Sequence, residues 1–358
     1  MLKELKVFLP LAEELKAHKP SLEILNHMAV KDGQLLFTDL ENWLSIPVAD
    51  ERNYTLPIEL IKEILKSRPA ELSITIRKGN QLELRYGRNT VVCHFMDAAD
   101  YTPPLPKERQ RRIGVWTGAM IRRMRKQLRH ASRDELKPAL QGLWVRQSGA
   151  RVSSCATDGH SLEYMHSLDP AQEGEISADF EGILPPKCLK ILSKLRLARA
   201  TVVAGPEYIQ FRLPHYVQLS SRLIHESYPD FETILNGPMP HELALPKAAL
   251  AQAVAASLPF ANKATRLARL KLQNGTIRLL TRDPERELAF GTEIEHAGHA
   301  AKALEIGFNL KLLEKTLASL PGEQILWKYR DEHSAQLFCA RDEPGQTNLL
   351  MPVRLEED

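Results

Sequence analysis

The stretch QSGARVSSCATDGHSLEYM (147–165) decides how this chain is read. Gly149 marks a turn, residues of alternating character run from Arg151 to Thr157, and Asp158-Gly159 turns the chain back through Ser161 to Met165. That is the pattern of a half-buried antiparallel hairpin. The same grammar occurs earlier in KDGQLLFTDLENWLSIPV (31–48) and later in QNGTIRLLTRDPERELAFGTEIE (273–295), with Gly33 and Gly275 at the corresponding turns. The chain therefore repeats weakly at long period, which points to three domains of one kind.

Working outward, each hairpin leads into a short amphipathic helix: LPIELIKEILKSRP (56–69), LPPKCLKILSKLR (184–196) and GFNLKLLEKTLASLP (307–321). Helical spacing is clear in Ile58, Ile61 and Leu65, in Leu189, Leu192 and Leu195, and in Leu312, Leu313 and Leu317. Pro57 and Pro186 stand where a first helical turn tolerates a missing N–H. Further strands follow each helix. Another helix heads each repeat: LKVFLPLAEELKAH (5–18), WTGAMIRRMRKQLRHASR (116–133) and LPKAALAQAVAASLPF (245–260). Boundaries fall in the linkers YTPPLPKERQRR (101–112) and ILNGPMPHELALP (234–246), giving an α+β chain with domains at 1–110, 111–238 and 239–358.

Composition narrows the class. The 358 residues are 43% hydrophobic and 26% charged, an ordinary globular balance that excludes wholesale disorder. No apolar run reaches the length of a membrane span, and the N-terminus interrupts its apolar residues with acids, unlike a signal peptide. The four cysteines, Cys93, Cys155, Cys188 and Cys339, are far apart, which fits reduced thiols in a cytoplasm rather than structural zinc or secreted disulfides.

A net charge of +3 names no partner, but its distribution does. Between Thr117 and Arg133 lie six basic residues and no acid; Arg122, Lys126, Arg129 and Arg133 share one helical face, opposite Ile121, Met124 and Leu128. Lys187, Lys190 and Lys194 form a second such face in a stretch, 183–199, that also lacks acids. Acid-free basic faces suit phosphates, and without zinc-finger, RNP or bZIP features the expected contact is to duplex backbone and blind to sequence.

Asp158 and His160 are the one pair that invites a catalytic reading, as an acid–base couple or as ligands of a hydrolytic metal. No further His/Asp cluster completes such a site, and GxSxG, P-loop, HExxH and GxGxxG motifs are all lacking. Asp-Gly as a hairpin turn is the preferred reading, with no catalytic residue, metal or cofactor.

Several motifs then resemble, in order, those of the bacterial DNA polymerase III beta subunit family, the sliding clamps. ATDGHSL (156–162) is similar to the family's ATDGHRLA, and SYPDFETIL (227–235) to its FPDY segment. EIGFNLKLLEKTLASL (305–320) resembles its EIGFN-plus-helix, LLMPVRL (349–355) its VVMPMRL, and HKPSLEIL (18–25) its RPTLPIL loop. The resemblance implies three clamp domains, each with two helices packed on antiparallel sheets, closing as a head-to-tail homodimeric ring around duplex DNA. The implied activity is non-enzymatic: the ring tethers the polymerase III catalytic subunit, conferring processivity, and a clamp loader is a further partner, all in the cytoplasm and away from membranes.

Carried over residue by residue, the resemblance implies a partner-peptide pocket of Leu140, Thr157, Gly159, His160, Leu162, Pro229, Ile234, Leu349, Met351, Pro352, Val353, Arg354 and Leu355, with Asn309 in an adjoining subsite. It turns the faces of Arg122, Lys126, Arg129 and Arg133, and of Lys187, Lys190 and Lys194, toward DNA, together with Lys19. Tyr101 and Leu105 on one side, with Leu258 and Phe260 on the other, are either the apolar contacts of the ring interface or ordinary core.

The chain also departs from the family. Ser161 stands where Arg is usual, which implies a smaller, uncharged pocket wall; Pro138 and Ala139 replace an aromatic pair; and Glu356, Glu357 and Asp358 follow the usual terminal Leu. Its pI near 8.6 contrasts with an acidic family. Two other functions stay open at this point: a clamp-like module with lost or altered polymerase binding, and a metal-dependent hydrolase on Asp158 and His160.

Overall fold

The computed structural model describes residues 1–15, 22–101, 110–168, 178–195, 197–273, 275–296, 304–342 and 345–355. The first repeat runs α1 (Leu2–Leu15), β1 (His27–Lys31), β2 (Gln34–Thr38), β3 (Asn42–Pro47), β4 (Tyr54–Pro57), α2 (Ile58–Lys66), β5 (Ser73–Arg77), β6 (Gln81–Tyr86) and β7 (Asn89–His94). The second runs β8 (Arg111–Thr117), α3 (Gly118–Gln127), α4 (Pro138–Gln141), β9 (Leu143–Ser148), β10 (Arg151–Thr157), β11 (Ser161–Leu168) and β12 (Phe180–Leu184). It continues through α5 (Pro186–Lys194), β13 (Arg199–Ala204), β14 (Tyr208–Arg212), β15 (Gln218–Arg222) and α6 (Glu232–Leu235). The third begins with β16 (His241–Pro246), α7 (Lys247–Ser257), β17 (Leu267–Gln273), β18 (Thr276–Asp283), β19 (Leu288–Glu295) and β20 (Leu304–Asn309). It ends with α8 (Leu310–Ser319), β21 (Gln324–Tyr329), β22 (Gln336–Ala340) and β23 (Gln346–Leu350).

Each repeat is thus two three-strand meanders, most of them widened by a fourth strand, with a pair of helices laid against them. The hairpin glycines Gly33, Gly149 and Gly275 adopt φ of +72°, +55° and +81°, the left-handed conformation that a residue without Cβ reaches at no steric cost. Ile58 and Ile61 of α2, Leu189 and Leu192 of α5, and Leu313 and Leu317 of α8 are buried as their spacing predicts, whereas Leu65, Leu195 and Leu312 are half-buried and Ile64 takes the third buried place in α2.

The sheets cross the boundaries between repeats. One eight-stranded sheet has the order β4-β1-β2-β3-β15-β14-β13-β8, and another has β12-β9-β10-β11-β23-β22-β21-β16. Where the repeats join, β3 pairs antiparallel with β15, placing Leu44 opposite Leu219, and β11 pairs with β23, placing Leu162 opposite Leu349. In both cases the last strand of one repeat's first meander meets the last strand of the next repeat's second meander. Two smaller sheets remain, β19-β18-β17-β20 and β5-β6-β7.

Burial follows this layout. One continuous core runs from Leu5 through Trp116 to Leu223, fusing the first two repeats. A second core fills the third repeat around Phe308, Trp327 and Phe338. A third, smaller cluster straddles the junction of the second and third repeats, with Trp144, Leu162, Phe231, Leu337 and Leu349.

Three expectations are corrected here. Helix α3 stops at Gln127 and a single 3₁₀ turn follows, so Arg133 lies beyond the helix rather than on its face. Tyr101 is an internal residue of the first repeat and not an interface contact: it is 3% exposed, and its hydroxyl donates to the carbonyls of His27 and Ile24. Ser161 is fully buried and therefore forms no open wall of a pocket. Lys19, Leu105 and the terminal Glu356, Glu357 and Asp358 lie outside the described residues.

Candidate binding sites

The apolar site lies where the second and third repeats share a sheet. Leu162, Leu349 and Met351 pack in one cluster with Ala139, Tyr228 and Phe231. The turn between β10 and β11 is held to the C-terminal segment by Met351 N–H donating to the His160 carbonyl at 2.8 Å. That segment is held in turn by Val353 N–H donating to Gly307 O at 2.8 Å. Thr157 is buried, Gly159, His160, Pro229 and Arg354 are exposed, and Leu140, Pro352 and Leu355 are half-buried. Ile234 and Val353 leave 46% and 37% of their surface to solvent, exposed apolar area that a ligand would cover. Asn309 caps α8, its Oδ1 accepting from the N–H groups of Lys311 and Leu312 while Nδ2 donates to Thr265 O, so its amide serves its own helix first.

The structure thus gathers Thr157, His160, Leu162, Leu349, Met351 and Val353, while Ile234 and Pro229 stand on the neighbouring Tyr228–Leu235 segment. Tyr228, Phe231 and Ala139 belong to the same cluster and were missing from the sequence-derived set, although Tyr228 and Phe231 lie inside the YPDF motif. A groove of about 800 Å³ adjoins this cluster, lined by Tyr228, Pro229 and Phe231 together with Trp144 and Arg146.

Beneath the turn runs a buried polar chain that sequence reasoning missed. Ser161 Oγ lies 3.1 Å from Asp158 Oδ2 and 3.3 Å from His130 Nδ1, and His130 Nε2 faces Glu163 Oε2 at 3.4 Å. Burial holds His130 neutral, with its pKa lowered to about 3, and the Lys315 charge adds to that effect. Burial also raises Glu163 to about 7, partly offset by Arg129 and Arg123. A neutral imidazole and a protonated carboxyl avoid burying a charge: Nδ1–H donates to Ser161 and Ser161 donates to Asp158, while Nε2 and Glu163 Oε2 face each other without a hydrogen bond. This tautomer is assigned from the network.

A Ser, a His and a Glu in sequence resemble a hydrolase relay, yet Ser161 and His130 are 0% exposed and Glu163 only 4%, so no substrate reaches them. The Asp158–His160 hydrolase reading is overturned on similar grounds. Asp158 is engaged by Lys315 Nζ at 2.7 Å and by the N–H groups of His160 and Ser161 at 2.9 and 2.7 Å, the bonding of a turn.

The basic faces differ from each other. On α3, Arg122, Arg123 and Lys126 are exposed, and so is Arg129 in the following turn. On α5 the lysines do not stand free, contrary to the acid-free expectation. Lys187 pairs with Asp39 at 2.5 Å, and Lys190 and Lys194 both reach Glu14, whose carboxyl is held below its usual range by them. These acids belong to the first repeat, so the α5 lysines join two repeats. Of the residues expected at a ring interface or in the core, Phe260 is 36% exposed and stacks on Phe290 of β19 with centroids 4.9 Å apart, and Leu258 is half-buried beside it.

No family model matches the chain. It is 26% identical to the beta sliding clamp of Pseudomonas aeruginosa over 346 residues, spanning 92% of each chain. With that of Vibrio cholerae it shares 26% identity over 353 residues, spanning 94% of each. A crystal structure of the Pseudomonas aeruginosa DNA polymerase sliding clamp superposes with a TM-score of 0.86 at 24% identity, covering 99% of this chain and 98% of that one. A DNA polymerase III beta subunit structure from Eubacterium rectale gives 0.88 at 14% identity, with coverage of 99% and 98%.

The His130–Glu163 pair has a pH signature. In the unfolded chain the two groups titrate near 6.5 and 4.5, so between those values both states hold one proton on the pair and stability is flat. The raised carboxyl contributes stability that is present below 4.5 and lost as pH rises through about 7. The lowered imidazole contributes stability that is present above 6.5 and lost as pH falls toward about 3. Glu163→Gln removes the first contribution only. Urea midpoints of the variant are expected to fall steadily from pH 6.5 to 4.5, where the unaltered protein stays level.

Proposed function

The chain is a divergent member of the beta sliding clamp family, and on that premise we propose that two copies close head-to-tail into a ring. The ring encircles duplex DNA and tethers a replicative polymerase, conferring processivity without a catalytic site of its own. The observation that carries this reading is a pair of complementary open edges. Both junctions within the chain join the last strand of a first meander to the last strand of the next repeat's second meander, as β3 to β15 and β11 to β23. Only β19, in the third repeat, and β7, in the first, are left without that partner among the described residues. They lie in separate sheets of one chain, so the pattern is completed by a second copy, β19 to the partner's β7 and the reverse. Such a heterologous contact made twice closes a ring. Leu258 and Phe260 flank β19, which carries Phe290, and Val92 on β7 is 48% exposed, which gives the interface apolar surface to bury.

With repeat boundaries at 1–110, 111–238 and 239–358, the ring holds six repeats with their helices on one side of the sheets. Arg122, Lys126 and Arg129, with Arg133 just beyond, supply positive charge toward the duplex. Lys187, Lys190 and Lys194 contribute less, being engaged by Asp39 and Glu14. Enclosure does not require tight binding, and phosphate contacts without base readout let the ring slide. A polymerase held on the ring re-engages its template at high effective concentration. Partners dock by a short apolar peptide in the Leu162, Leu349 and Met351 cluster; a clamp loader that opens the ring uses the same site. Among the described residues no helix is long and apolar enough to cross a membrane, and the work belongs in the cytoplasm with the DNA.

Two outcomes are expected. Sedimentation gives a mass twice the 40.5 kDa of the chain, and Phe260→Asp, which places a charge on an interface residue already partly open to water, returns it to the monomer value. In fluorescence anisotropy a labelled QLxLF-type peptide binds saturably, and Met351→Ala weakens it roughly tenfold, about 1.4 kcal/mol. No binding at tens of micromolar (roughly −6 to −7 kcal/mol) moves the function to a clamp-fold module with a different partner.

A further inference from the structure

We infer that Lys315, on helix α8 of the third repeat, is the positioning residue for the peptide pocket of the second; this rests on the pocket reading above. The pocket wall formed by Thr157, Gly159 and His160 is a tight turn tied by one carboxylate. Asp158 accepts from His160 N–H and Ser161 N–H at 2.9 and 2.7 Å and from the Ser161 hydroxyl at 3.1 to 3.2 Å. That carboxylate is largely withdrawn from water, with 21% of its side chain exposed. A charge in such a place needs a cation or a lower-dielectric penalty follows. Among the described residues its own repeat contributes uncharged donors from His160 and Ser161 but no ion pair at this point, while the nearby Arg129 donates to Ala318 O.

The cation arrives from 157 residues further along the chain, as Lys315 Nζ at 2.7 Å. Lys315 is itself only 19% exposed, so the pair is screened less by water than a surface pair. The same part of the third repeat holds the opposite wall. Gly307, just before α8, accepts from Val353 N–H, and His160 O accepts from Met351 N–H. Both walls therefore take their positions from α8 and the strand before it, and the pocket has its binding shape only while the second and third repeats are docked. Lys315 makes no contact with the peptide; it acts through the turn.

The test uses the full-length protein and the QLxLF-type peptide, with Lys315→Met removing the charge while keeping an unbranched apolar stem. Expected is a roughly fivefold to tenfold loss of peptide affinity, a coupling of ordinary allosteric size, with Lys315→Arg restoring binding to within about twofold. In an Asp158→Asn background, Lys315→Met is expected to cost nothing further, which a purely packing role for the side chain would not produce. Unchanged affinity in Lys315→Met overturns the inference, as does an equal loss in the Asp158→Asn background. Failure of the unaltered protein to bind the peptide overturns the pocket reading itself and is thereby distinguished from failure of this inference alone. Circular dichroism of each variant separates loss of fold from loss of positioning, and Lys315→Arg reports on the charge if the Met substitution unfolds the chain.

Discussion

The pairing of strand edges is the constraint on which the rest of this structure depends. A strand at the rim of a sheet offers unpaired N–H and C=O groups that must be bonded, covered or left to aggregate. Each meander here ends in such a strand, and two of the resulting edges are satisfied across repeat boundaries, β3 by β15 and β11 by β23. Among the described residues the same requirement leaves β7 and β19 as matching unfinished edges in the first and third repeats. The proposed ring closure by a second copy would continue a rule already obeyed twice within the chain. On the proposed ring, the cationic surface of α3 would face the enclosed duplex.

The proposed partner pocket is a by-product of the same pairing. Joining β11 to β23 brings the 157–161 turn against the C-terminal segment and assembles an apolar cluster that neither repeat has by itself. Its polar underside needs equal attention. His130, Ser161, Asp158 and Lys315 form one hydrogen-bonded chain, and Glu163 faces its His130 end at 3.4 Å, where a protonated carboxyl and a neutral imidazole leave no buried charge. A half-satisfied network would cost more than an apolar core. The chain ends on a residue of the third repeat, so electrostatics and sheet pairing lock the same junction.

Much of this architecture was legible in the sequence. Gly33, Gly149 and Gly275 announced the hairpins, the 3.6-residue stripes announced the helices, and the acid-free run from Thr117 to Arg133 announced a basic surface. What escaped was whatever depends on contacts between distant segments. Lys194 finds Glu14 across 180 residues, a pairing that no local count of acids reveals. Helix α3 ends at Gln127 without a Gly or Pro to mark it, so its periodicity ran on to Arg133. Tyr101 read equally well as core or interface until its hydroxyl was seen bonded within its own repeat. Ser161 looked like a smaller, uncharged pocket wall, whereas it is buried and bonded to the Asp158 carboxylate that Lys315 engages from another repeat. Of the pocket, the motif residues could be named in advance, but the aromatic floor of Tyr228 and Phe231 became evident only once the segments were assembled.

The central claim, that two chains form a closed ring around DNA, is tested most directly by topology. Linear duplex is incubated with the protein so that rings thread over its ends, the DNA is circularised by ligation, and the products pass through a sizing column in high salt. The account predicts protein that stays with the circular DNA under salt that abolishes phosphate contacts, and that is released when a single cut makes the DNA linear. Protein that leaves circular and linear DNA equally under the same salt would contradict it.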